Sequence, residues 1–131
     1  MKCLLDTHVF LWYVEDSPAL SQATLKVIND RTNEIFLSHA SVWEIAIKYN
    51  LGKLELKLNG QSFQGFIEAQ IFDNRIELLP IRLSHIALVS QLSQHHRDPF
   101  DRLFVAQAQA ENLTLINADT ALDAYEIQHL W

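Results

Sequence analysis

The stretch DPFDRLFVAQAQAENLTLINAD, residues 98–119, decides the fold. Asp98 is a good N-cap, Pro99 suits the first helical position and Asp101 falls at N3, so a helix is predicted over Pro99–Glu111. Leu113–Ile116 then reads as a short apolar strand. A helix that leads into a strand of this kind runs antiparallel to it, which returns the helix N-terminus to the strand's carboxyl edge. Asp101, in the first turn of the helix, and Asp119, just past the strand, are thereby predicted to share one edge.

Working outward, the same alternation recurs along the chain. Lys2–Leu5 reads as an apolar strand, followed by a helix over His8–Val14 and a second over Pro18–Asp30, with Pro18 in its first turn. Glu34–Leu37 reads as a strand and Val42–Tyr49 as a helix, with Ser41 and Glu44 as a capping box and Gly52 as a left-handed stop. Lys53–Leu58 alternates charged and apolar residues, as a short exposed strand or a loop. Ser62–Ile71 reads as a helix, Ile76–Ile81 as a strand, Ser84–Gln94 as a helix, Thr120–Tyr125 as a short helix and Glu126–His129 as an edge strand. Strands separated by helices need crossover connections, which predicts an α/β protein: a three-layer α/β/α sandwich on a mainly parallel sheet, with residues 1–131 as one domain.

On this map Asp6 follows the first strand and Glu44 starts the helix after the second. Asp6, Glu44, Asp101 and Asp119 therefore fall at one sheet edge, where open α/β sheets bind ligands. Capping explains each acid singly, but not their convergence. Anions gathered within a few ångströms either take up protons or bind cations, and hard oxygen donors suit Mg²⁺ or Mn²⁺.

The 131 residues carry a net charge of −6, which counts against a protein that holds nucleic acid mainly by neutralising phosphates. An enzyme with its acids in one metal site and a local basic patch remains compatible. Lys48, Lys53 and Lys57, together with Arg97 and Arg102, read either as phosphate contacts or as a solvated face. No apolar run is long enough to span a bilayer. The N-terminus meets Asp6 too early for a signal-peptide core, and a lone cysteine, Cys3, within an apolar run suits a reducing cytoplasm. His95 and His96 lack further ligands at zinc spacing, and His8 reads as a substrate contact beside the first-strand acid or, more readily, as an ordinary helix-start residue. Most of the aromatic residues Trp12, Tyr13, Trp43, Phe63, Phe66 and Phe72 are expected in the core, the rest at an interface.

Four segments, Leu4-Leu5-Asp6-Thr7-His8, Ser41-Val42-Trp43-Glu44, Asp98-Pro99-Phe100-Asp101-Arg102-Leu103 and Leu115-Ile116-Asn117-Ala118-Asp119, together resemble the PIN-domain family, in its VapC-like toxin branch. The resemblance implies a Mg²⁺- or Mn²⁺-dependent endoribonuclease, a homodimer and an antitoxin partner that blocks the site. Matched residue by residue, Asp6, Glu44, Asp101 and Asp119 are the acidic quartet. Asp98 matches a further acid of this branch, Asn117 stands where many relatives carry Thr or Ser, and Arg102 is an accessory candidate. The expected chemistry is attack of water on phosphorus in line, leaving a 5′-phosphate and a 3′-hydroxyl. The alternatives are a catalytically inactive PIN-like module that binds RNA or protein, and a DNA-directed nuclease of the same family. An aspartyl phosphatase is disfavoured, because His8 stands where its general acid would be.

Overall fold

The computed structural model describes residues 1–94, 98–119, 122, 125 and 127–131. In chain order the elements are β1 (Lys2–Leu5), α1 (Thr7–Val14), α2 (Gln22–Asn29), β2 (Glu34–Ser38), α3 (His39–Asn50), α4 (Phe63–Asp73), β3 (Ile76–Leu79), α5 (Leu83–Val89), α6 (Pro99–Glu111), β4 (Thr114–Ile116) and β5 (Gln128–Leu130). The strands form one sheet in the order β3-β2-β1-β4-β5, and every pairing is parallel. The register sets Leu4 between Phe36 and Leu115.

Strand alternation divides the interior in two. Cys3 and Leu5 point into a core with Val9, Phe10, Leu37 and Ile45. Leu4 points the other way, into a core with Phe104, Val105, Leu115 and Leu122. A sheet buried on both faces needs continuous apolar strands, which is what CLL in β1 and TLI in β4 supply. The expected three-layer α/β/α sandwich is therefore observed. The chain steps outward from β1 through β2 to β3 on one side, and adds β4 and β5 on the other. The crevice where that order reverses opens at the carboxyl ends of β1 and β4. No helix among the described residues is long and apolar enough to cross a membrane.

Several boundaries differ from the sequence reading. The first helix begins one residue earlier than expected, at Thr7. Pro18 lies in a turn and not in α2, because Ser21 is the cap that receives the Thr24 N–H at 3.1 Å. α3 begins at His39, directly after β2, since Ser38 Oγ accepts the Ala40 N–H at 3.0 Å. The proposed Ser41–Glu44 capping box is overturned: both residues lie inside the helix. Residues 53–58 form no strand. β3 stops at Leu79, before Pro80, and α5 stops at Val89. The last strand is shifted to Gln128–Leu130, and Gly52 follows α3 at φ 71°, as expected of a left-handed stop. The readings of His95, His96, Arg97 and most of Thr120–Tyr125 lie outside the described residues.

Candidate active site

Each acid reaches the β1/β4 crevice from a different element. Asp6 follows β1, its amide donating to the Ile116 carbonyl of β4 at 3.1 Å. Its Oδ1 accepts the Val9 N–H at 2.8 Å and caps α1. Asp98 caps α6, receiving the Phe100 and Asp101 amides at 2.8 and 3.3 Å, and so fixes where Asp101 stands in the first turn. Asn117 is buried at the end of β4. Its side-chain oxygen accepts the Asp119 N–H and its backbone N–H donates to the Leu130 carbonyl, which turns the chain and sets Asp119 at the mouth. Glu44 comes from inside α3 and caps nothing.

These acids line one cleft of about 400 Å³, with Asn117, Ala118, Thr7, His8, Trp12 and Lys48 completing its wall. A larger hollow of about 800 Å³ lies between the end of α1, the loop after α3, and α4. Its acids, Glu15, Asp16 and Glu55, are all exposed. Size therefore favours that hollow, whereas chemistry favours the cleft, where Asp6 and Glu44 are buried. We take chemistry as decisive, because solvated carboxylates remain in contact with water and need no counter-charge.

The burial has an electrostatic consequence. Removal from water pushes the Asp6 carboxyl up to about 7 from an ordinary 3.8. The Val9 N–H offsets part of this, and the neighbouring carboxylates of Asp101, Glu44 and Asp119 push it further in the same direction. Glu44 is held from both sides: Oε1 accepts from the Thr7 hydroxyl, and Oε2 pairs with Lys48 Nζ at 3.0 Å, one helical turn on. Thr7 Oγ1 also lies 3.1 Å from Ser41 Oγ, so α1 and α3 are tied together beneath the cleft.

The acids of the cleft offer only oxygen donors, which fits a hard divalent ion. As they stand, no three His, Cys, Asp or Glu side chains among the described residues converge into a ready coordination group. One oxygen of Asp6 accepts from Val9, and both of Glu44 are engaged by Thr7 and Lys48.

Two expectations change. Arg102 does not serve the cleft. Its guanidinium is buried and donates to the carbonyls of Ser93 at 3.0 Å and of Val89 and Leu92 at 3.4 Å, binding the loop after α5 to α6. Lys48, read from sequence as a phosphate contact or a surface charge, lies in the cleft wall paired with Glu44. Sequence reasoning also left Thr7 and Trp12 out of the site. The available signal was helical spacing, since Glu44 and Lys48 are four apart, as are His8 and Trp12.

The parallel sheet with an acid-lined crevice at its switch point defines an α/β protein with a candidate cation site at that crevice. The PIN domain family model matches residues 3–128, and the chain belongs to that family. Among solved structures it is similar to a chain of VapBC2 from Rickettsia felis bound to a DNA fragment from their promoter, with a TM-score of 0.72 and 19% identity over 99% of this chain and 98% of that one. VapBC-1 from nontypeable Haemophilus influenzae gives 0.65 and 16%, over 99% and 97%. VapBC-5 from Mycobacterium tuberculosis, a member of the VapBC family of toxin–antitoxin systems, gives 0.59 and 17%, over 98% and 95%. At such identities the likeness is one of fold. No curated protein sequence matches the chain.

Proposed function

We propose that this PIN domain, residues 1–131, is a Mg²⁺- or Mn²⁺-dependent endoribonuclease and the toxin of a toxin–antitoxin pair. The observation that carries the reading is Asp6: a buried carboxyl facing Glu44, Asp101 and Asp119 and driven up to about 7. Burial first, and then the neighbouring carboxylates, make the charged form of Asp6 costly, and a divalent cation in the cleft would offset that cost. Asp6, Asp101 and Asp119 would hold the cation. When bound, it would supply charge stabilisation at a phosphodiester and a more acidic water. Glu44, fixed by Thr7 and Lys48, would either complete the metal shell or orient the attacking water. Asp98 and Asn117 hold Asp101 and Asp119 in place through the backbone.

The complexes among the structural neighbours support a cognate antitoxin as partner. The family resemblance supports RNA as substrate, a homodimer as the acting form and the cytoplasm as its place. The inactive-module alternative is disfavoured by the complete quartet meeting in one cleft. The test is cleavage of total RNA with Mg²⁺, with Mn²⁺ and with chelator. Cleavage is expected with either metal, not with chelator, and not by Asp101→Asn. Metal-independent cleavage, or full activity in Asp101→Asn, removes the proposal.

A further inference from the structure

One wall of the cleft is not acidic. His8 and Trp12, one turn apart on α1, line it, with ring centroids 6.0 Å apart. Trp131, which follows β5, sets a third ring against Trp12 at 5.7 Å. The row thus runs from the cleft wall outward across two elements that meet only in the folded chain. His8 is exposed, Trp12 is half-buried and Trp131 is 38% exposed. Core packing accounts for the inner edge of Trp12, which touches the Val9–Phe10 core. It does not account for His8 or for the open part of Trp131.

Exposed rings beside a phosphodiester site have a specific use. An unpaired base offers a π-face to a ring, whereas a base inside a duplex has both faces covered by its neighbours. With a net charge of −6, the protein has little general attraction for phosphates, so stacking is a way to gain affinity that its charge does not oppose. We infer that His8, Trp12 and Trp131 form a stacking platform for an unpaired base of single-stranded RNA next to the acidic cleft. The assignment rests on the ribonuclease reading for its substrate class. It adds which groups position the strand beside the cleft: the rings of His8, Trp12 and Trp131.

The test uses the full chain in chelator, so that no strand is cut. The probes are a twelve-nucleotide RNA without secondary structure and a blunt duplex of the same length. Binding is read by anisotropy of a dye on the RNA and by quenching of tryptophan emission. The parent is expected to prefer the single strand and to show quenching. Trp131→Ala is expected to weaken that binding about tenfold, in the range measured for loss of one base–ring stack. Trp131→Phe, which keeps a ring, should recover most of the loss. His8→Ala on the exposed helix surface gives a second reading independent of the strand end, with a smaller loss in the same direction. Equal binding of single strand and duplex overturns the platform, as does single-strand binding unchanged in both alanine variants. So does a result in which the variants lose only a co-purified protein partner, because the rings would then be a protein contact. Asp101→Asn separates the two ideas. If it fails to cut yet binds the strand in a ring-dependent way, both stand; if the parent never cuts but still binds in that way, only the nuclease reading falls.

Discussion

Two polar clusters in this molecule, each built round a buried group, carry opposite electrostatic designs. Between α5 and α6, His85 is fully buried. Its Nδ1 accepts the Arg82 N–H at 3.0 Å and its Nε2 donates to Glu111 Oε1 at 2.8 Å. Arg82 Nε approaches the same carboxylate at 3.4 Å. That carboxylate is answered by a cation and a ring donor, and the cluster closes on itself. In the β1/β4 crevice, among the described residues, Lys48 pairs with Glu44, while Asp101, Glu44 and Asp119 all add to the burial that raises the proton affinity of Asp6. A balanced cluster holds a fold together, whereas carboxylates gathered round a buried acid cost stability.

The difference breaks most sharply on activity. Asp6→Asn or Asp101→Asn should lower RNA cleavage by at least about a hundredfold, since even groups behind the metal ligands cost tenfold to a hundredfold. Glu111→Gln should leave it unchanged. Initial rates on a defined RNA, with melting curves as a fold control, decide it. A loss in Glu111→Gln of the same size would mean that the two clusters are not separate in function.

Cation binding sharpens the contrast. Mg²⁺ or Mn²⁺ at about a hundred times its dissociation constant should raise the unfolding free energy by about 2.7 kcal/mol. The rise should vanish in Asp6→Asn combined with Asp101→Asn and persist in Glu111→Gln. Denaturant melts with and without the metal measure it. An equal rise in all three proteins would place the ion elsewhere.

How much of this was legible in the sequence varies with the kind of signal. α6 was read with the bounds it has, because Asp98, Pro99 and the left-handed Asn112 at φ 54° punctuate both ends. The start of α3 was misplaced because two serines compete. Ser38 ends β2 in extended conformation and so takes the cap, leaving Ser41 to bond Thr7. That error concealed the strongest evidence about Glu44, which is 7% exposed and has no helix end to serve. The acid quartet itself was visible because parallel topology alone carries it to one edge. Trp12 and the pairing of Lys48 with Glu44 were not, because helical spacing says which residues share a face but not what that face meets. Arg102 was misassigned for the same reason: adjacency to Asp101 in sequence sends the two side chains to different sides of α6.

The pH response should carry the signature of the acidic cleft. Asp6 titrates at about 7 when folded, against an ordinary 3.8. Between those values the folded state holds a proton that the unfolded state has released. Without divalent ions, stability is therefore full below about pH 4, falls as pH rises towards about 7, and levels off above it. Asp6→Asn keeps an oxygen to cap Val9 and carries no charge, so its stability should be flat over the same window and should exceed that of the parent at pH 8. Melts in chelator at half-unit steps from pH 4 to 8 would show it. A parent curve that rises with pH would mean that Asp6 ionises without penalty.

The smallest effect belongs to the balanced cluster. Glu111→Gln replaces the charged acceptor of the His85 N–H with a neutral one and leaves the hydrogen bond formed. Because charge-assisted bonds are about twice as strong as neutral ones, the loss should be about 1 kcal/mol. His85→Ala should cost more, since it also empties a fully buried site and leaves the Glu111 carboxylate with Arg82 alone. If Glu111→Gln instead stabilised the protein, its carboxylate would be a strained charge like Asp6, and the distinction between the two clusters would dissolve.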